Sequence, residues 1–159
     1  MKTPITVSAA LAAIIGLYGI TPALADSFND QGPGNEDWPS AHSAPAAQTQ
    51  NGITFVTGGI GKPEAAAMKA AAGHYDLMIT FADRSGDYVA DVDVKIQDAK
   101  GNTVLNTVSD PILLVDLPAG RYTVRADVDG KSLVRTLNLP ASTNGHPTEV
   151  VYRWPQDIS

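Results

Sequence analysis

The sequence predicts a mainly β protein: an antiparallel β-sandwich of about seven strands with one short N-terminal helix. Three observations predict it. Between residues 75 and 154 apolar side chains recur at period two in one short run after another. Gly, Pro, Asn and Asp clusters punctuate those runs at close spacing. One alanine-rich segment, residues 64–72, departs from the pattern and has high helix propensity.

Taken in chain order, residues 1–25 read as a secretory leader. Met1-Lys2 gives a short positive end, the stretch from Ile5 to Ile20 is mostly apolar, and Ala23-Leu24-Ala25 places small residues for cleavage after Ala25. The apolar run is short for a membrane span of roughly 20 residues, and no later stretch has that character, so the mature chain is expected to cross no bilayer. Residues 26–51 are rich in Gly, Pro, Ala, Ser, Asn and Gln and show no hydrophobic period, which predicts a disordered tail with Phe28 and Trp38 as its large apolar groups.

A strand-turn-helix extension is expected over 52–73. Gly52 to Thr57 forms its strand and Gly58-Gly59-Ile60-Gly61 its turn. Pro63 suits the first helical turn, Glu64 its positive end and Gly73 the stop. The main β domain is expected over 74–155. Tyr75, Leu77, Ile79 and Phe81 share one strand face, and Tyr88, Ala90, Val92, Val94 and Ile96 share another. Asp98 to Asn102 connects to a return strand over 103–108. Ile112-Leu113-Leu114-Val115 is an unbroken apolar run. Tyr122, Val124, Ala126 and Val128 alternate with Arg121, Thr123, Arg125 and Asp127. Asp129-Gly130 signals a two-residue hairpin into Ser132–Leu139, with Leu133, Leu137 and Leu139 on the buried face. The last strand, 149–154, puts Val150, Tyr152 and Trp154 on one face.

Charge and composition exclude several functions. The chain has 17 acidic and 11 basic residues, and loss of Lys2 with the leader leaves a net charge of about −7. Such a surface repels nucleic acid and anionic membranes. Cysteine is absent, which removes disulfides, thiol catalysis, thiolate metal sites and the lipid-bearing cysteine of a lipoprotein.

Three segments together resemble a known family. Val92-Asp93-Val94-Lys95-Ile96 runs into Asp98-Ala99-Lys100-Gly101-Asn102. Leu117-Pro118-Ala119-Gly120-Arg121-Tyr122-Thr123-Val124 follows, and then Asp129-Gly130-Lys131. The series is similar to the carboxypeptidase regulatory-like domains of the transthyretin (prealbumin) superfamily, over roughly Tyr75 to Trp154. The segment from Thr57 to the alanine-rich helix resembles an extension found in small exported proteins of proteobacteria. The resemblance implies a β-sandwich with accessory, adhesive, carbohydrate-binding-like or folding roles. One relative, the hydroxyisourate hydrolases, is enzymatic. Val151-Tyr152-Arg153 is similar to part of its C-terminal motif, but Trp154-Pro155 follows and the histidine-bearing N-terminal motif is missing. Leu117, Pro118, Gly120 and Tyr122 are therefore structural residues, with the Tyr122 hydroxyl expected to bond the backbone at a sheet corner.

Other residues invite chemical readings. Gly58-Gly59-Ile60-Gly61-Lys62 fails the phosphate-loop pattern at Val56 and Pro63. Asp83, Asp87, Asp91 and Asp93 are candidate calcium ligands, with turn caps and a solvated face as the competing role. His42, His74 and His146 lie far apart without zinc-like spacing. Arg121, Thr123 and Arg125 form a stripe on an exposed strand face, with Arg135 expected beside them across the hairpin. They are candidate ligand or partner contacts, or partners of facing acids on neighbouring strands. Tyr152 and Trp154 either stack on a sugar or are buried.

The expected protein is an exported, non-catalytic module without a cofactor, periplasmic or released to the medium. It binds a protein or cell-envelope partner; a carbohydrate-binding-like domain and a hydrolase of unknown type are the alternatives.

Overall fold

The computed structural model describes residues 43–158, so the leader, most of the 26–51 tail, Phe28, Trp38 and His42 lie outside the described residues. Nine strands and one α-helix follow in order: β1 Gln48–Gln50, β2 Ile53–Gly58, α1 Lys62–Ala71, β3 Leu77–Ala82, β4 Val92–Asp98, β5 Thr103–Ser109, β6 Ile112–Asp116, β7 Gly120–Val128, β8 Lys131–Leu139 and β9 Thr148–Arg153. A short 3-10 turn, Ala72–His74, extends the helix. The strands form a five-stranded sheet ordered β1-β2-β6-β3-β9 and a four-stranded sheet ordered β5-β4-β7-β8. Every pairing is antiparallel except β3 with β9, which is parallel.

The two sheets share one core. Phe55, Leu77, Ile79, Phe81, Leu113, Val115 and Tyr152 from the larger sheet meet Val92, Val94, Ile96, Leu105, Val124 and Ala126 from the smaller one. Trp154 and Tyr152 are buried, and both pack near Phe81 with ring centroids 6.2 and 5.8 Å away. Their polar tips reach backbone: Trp154 Nε1 donates to the Lys131 carbonyl at 2.8 Å and the Tyr152 hydroxyl to the Val124 carbonyl at 2.9 Å. Neither ring is available for stacking on a sugar.

A second cluster covers the other face of the larger sheet. Ala65, Met68 and Ala72 lie against Val56, Met78, Ile112 and Leu114. The central strands β2, β6 and β3 are thus buried on both faces, which is why β6 reads as an unbroken apolar run. β2 is hydrogen-bonded beside β6, and Phe55 joins the main core. The 52–73 segment, expected as an extension, therefore shares sheet and core with the domain expected over 74–155.

Two further expectations are corrected. The tail expected to be disordered through residue 51 contributes β1, which pairs with β2 from Gln48 to Gln50. The strand expected from Tyr88 begins only at Val92. Asp91 has a positive φ of 55° and turns the chain, so the alternation inverts: Tyr88 is 43% exposed whereas Val89 is buried.

Candidate functional site

The loop before β4 gathers part of the acidic set around a turn. Asp83 Oδ1 accepts from the Ser85 hydroxyl at 2.6 Å and from the amides of Gly86 at 3.0 Å and Asp87 at 3.1 Å. These donors, the Ser85 hydroxyl foremost, hold the Asp83 carboxyl below its ordinary range. Asp87 shares the Ser85 hydroxyl at 3.1 Å. Asp91 takes the left-handed turn position, and Asp93 stands on the outer face of β4. The four do not converge. Among the described residues no three His, Asp or Glu side chains are placed together to hold a metal. His74 and His146 are both exposed.

The L-P-x-G-x-Y segment folds as a corner. The Tyr122 ring is buried and its hydroxyl donates to the Pro118 carbonyl at 2.8 Å, locking the start of β7. Burial pushes the Tyr122 hydroxyl up from its ordinary pKa. Leu117 is buried beside it. Asp98 closes the neighbouring turn, accepting the amides of Lys100 and Asn102 at 2.9 Å each.

The outer face of the smaller sheet carries the charged stripe. Arg121, Thr123 and Arg125 stand opposite Asn138, Thr136 and Val134 of β8. Arg135 does not join them. The hairpin register places it opposite Val124, on the core-side face, where its guanidinium lies 5.3 Å from the Tyr152 ring centroid. A facing acid is missing for Arg125 as well: Lys95 is its partner on β4, and Asp93 is opposite Asp127. Arg125 instead reaches along its own strand to Asp127 at 3.6 Å and across to the Ser132 hydroxyl at 2.9 Å. A shallow groove of about 410 Å³ runs over this surface, lined by Asp93, Lys95, Gln97, Asn106, Arg125 and Asp127.

The two edges of this sheet differ. At β5 the Gln50 side chain acts as a missing strand: its Nε2 donates to the Asn106 carbonyl at 3.2 Å and its Oε1 accepts the Asn106 amide at 2.7 Å. Asn51 Nδ2 reaches the Val104 carbonyl at 3.4 Å. Thr57 bonds the Ser109 hydroxyl at 3.0 Å and accepts the Asp110 amide at 2.6 Å. No sequence signal marks Gln50 for this task, because a polar residue in a polar tail has no periodicity.

At β8 no strand of the described residues follows in the sheet order. Asp129 and Gly130 have positive φ values of 50° and 73°, the geometry of a two-residue type I′ turn. Such a turn makes Val128 and Lys131 a hydrogen-bonded pair, so Leu133, Arg135 and Leu137 also direct their amides and carbonyls toward β7. Ser132, Val134, Thr136 and Asn138 turn theirs outward. All four are exposed, and Val134 is 58% exposed. β8 is nine residues long, longer than most edges a protein leaves open.

No family model matches this chain, and no curated protein matches it. Among solved structures, the Bacillus anthracis TIE protein is similar to it at 19% identity with a TM-score of 0.34, over 49% of this chain and 15% of that one. The chain thus spans a small part of that protein, and a likeness at this level carries no conclusion about fold family or function.

Proposed function

We propose that this chain is an exported, non-catalytic β-sandwich module that binds a protein partner by adding a strand of that partner to β8. The β8 edge, with which no further strand of the described residues pairs, carries the reading. Outward amides and carbonyls on alternate residues offer a ladder to an extended segment, and Val134 offers it an apolar contact. The sandwich is read as carboxypeptidase regulatory-like. The Tyr122 corner and two sheets on a common core support that reading, although β3 and β9 pair in parallel. Export to the periplasm, or release to the medium, rests on the leader-like residues 1–25. No helix of the described residues is long and apolar enough to cross a membrane.

The non-catalytic reading is supported by how the polar interior is used. Asp83 and Ser109 are the buried polar side chains among the described residues, and both are committed to turns: Ser109 Oγ donates to the Asp110 carbonyl at 2.8 Å. A protein partner is preferred to a carbohydrate because Tyr152 and Trp154 are buried.

The test is a photoreactive residue at position 134 in whole cells, with position 60, an exposed apolar site before α1, as control. A discrete partner crosslinked from 134 and not from 60 is expected. Thr136→Pro removes one outward amide and leaves the bonds to β7 intact, so it should abolish the crosslink. Equal products from 134 and 60, or a product indifferent to Thr136→Pro, would contradict strand addition.

A further inference from the structure

The outer face of the smaller sheet pairs like with like. Asp93 stands opposite Asp127, and one step along the same strands Lys95 stands opposite Arg125. Directly opposed like charges destabilise a sheet. Exchanging Asp93 and Lys95 would turn both rows into attractive pairs with no change in composition. Among the described residues the ion pair on this face is Arg125 with Asp127, within one strand, which leaves Lys95 and Asp93 without a counter-charge within salt-bridge distance. The rows form a doubly negative and a doubly positive spot on the floor of the 410 Å³ groove. Gln97 and Asn106 add amide donors and acceptors to its wall.

The spacing of the spots matches one kind of ligand. They lie two residues apart along a strand, roughly 6.5–7 Å, and an extended chain repeats its side chains on one face at that same interval. We infer that the groove binds an extended peptide segment carrying an acidic and a basic side chain two residues apart. The acid sits over Lys95 and Arg125, and the base over Asp93 and Asp127. The Arg125–Asp127 pair offsets part of the repulsion in the free protein, and the segment relieves the rest at Lys95 and Asp93, so charge complementarity selects it. This rests on the partner-binding reading above but uses the sheet face instead of the β8 edge, and the two fail separately.

The experiment is fluorescence anisotropy with three end-capped, labelled peptides of equal length, bearing Glu-Ser-Lys, Glu-Ser-Glu or Lys-Ser-Lys, at low and at physiological salt. Glu-Ser-Lys should bind best. The exchange variant, Asp93→Lys with Lys95→Asp, should melt at a higher temperature than the parent yet bind that peptide at least about tenfold more weakly. Thr136→Pro should leave its binding unchanged. No binding, equal binding of the three peptides, or binding that survives the exchange would overturn the inference. So would an exchange variant that gains no thermal stability. Loss of binding in Thr136→Pro would move the peptide to the β8 edge, which also overturns it.

Discussion

At the scale of single residues, the acidic side chains of this chain serve different ends that sequence spacing does not separate. Asp83 and Asp98 are turn organisers, each accepting at least two amides. Asp93 is a bare charge on a sheet face. All three occur near glycines or in alternating strands, so composition alone groups Asp83 with Asp93 as candidate cation ligands. Tyr122 was legible, because a proline, a glycine and an aromatic at fixed offsets specify a corner. Asp76 was not. It precedes β3 with no motif around it, yet its Oδ2 accepts the Leu117 amide at 3.1 Å and its carboxyl lies against that of Asp116. Burial first, then hydrogen bonding and repulsion with Asp116, raise its pKa above the ordinary 3.8. The folded state therefore holds this proton more tightly than the unfolded chain. The stabilisation is complete below 3.8 and is lost as pH rises through the folded value. Asp76→Asn keeps an acceptor for Leu117 and donates to Asp116. It should be more stable than the parent near neutrality, with the gain vanishing below 3.8. Urea unfolding of both proteins across that range checks it.

At the scale of elements, periodicity located most of the strands and missed their partners. Alternation in β4 and β7 marks a half-buried sheet face, and both strands follow it closely. β6 gave only an apolar run, because α1 covers its second face and removes the need for polar residues there. β1 and the Gln50 contact gave nothing, since three polar residues have no period and Gln50 acts through backbone groups of β5. The helix itself was legible from alanine content and Pro63, whereas Gly73, expected as its stop, lies within the 3-10 turn that continues it to His74. Its anchoring side chain is Met68, fully buried between β2, β3 and β6 residues. Met68→Ala should lower stability by about 2–5 kcal/mol, because a thin alanine-rich helix has little else with which to refill the space. Denaturant midpoints at unchanged slope would report that loss, and a shift smaller than about 1 kcal/mol would show that α1 contributes little to the fold.

At the scale of the whole molecule, the two sheets treat their boundaries unequally. Gln50, Asn51 and Thr57 tie the β5 edge of the smaller sheet to the larger one. On the opposite side Trp154 and Tyr152 reach β7 and β8 backbone from beneath, yet among the described residues no strand pairs with the outward ladder of β8. A short hairpin signal such as Asp129-Gly130 predicts that β8 pairs with β7, and no local pattern states whether anything pairs beyond it. That outcome depends on all nine strands of the described residues at once, which is why the mainly β class was legible and the state of the β8 edge was not.

The most direct test of that open edge is amide hydrogen exchange, resolved residue by residue along β8, in the free protein and with the partner captured from position 134. In the free protein Leu133, Arg135 and Leu137 should be protected, while Ser132, Val134, Thr136 and Asn138 exchange rapidly. Added partner should slow those four selectively. Four amides already protected in the free protein, or four left unprotected in the complex, would contradict strand addition at β8.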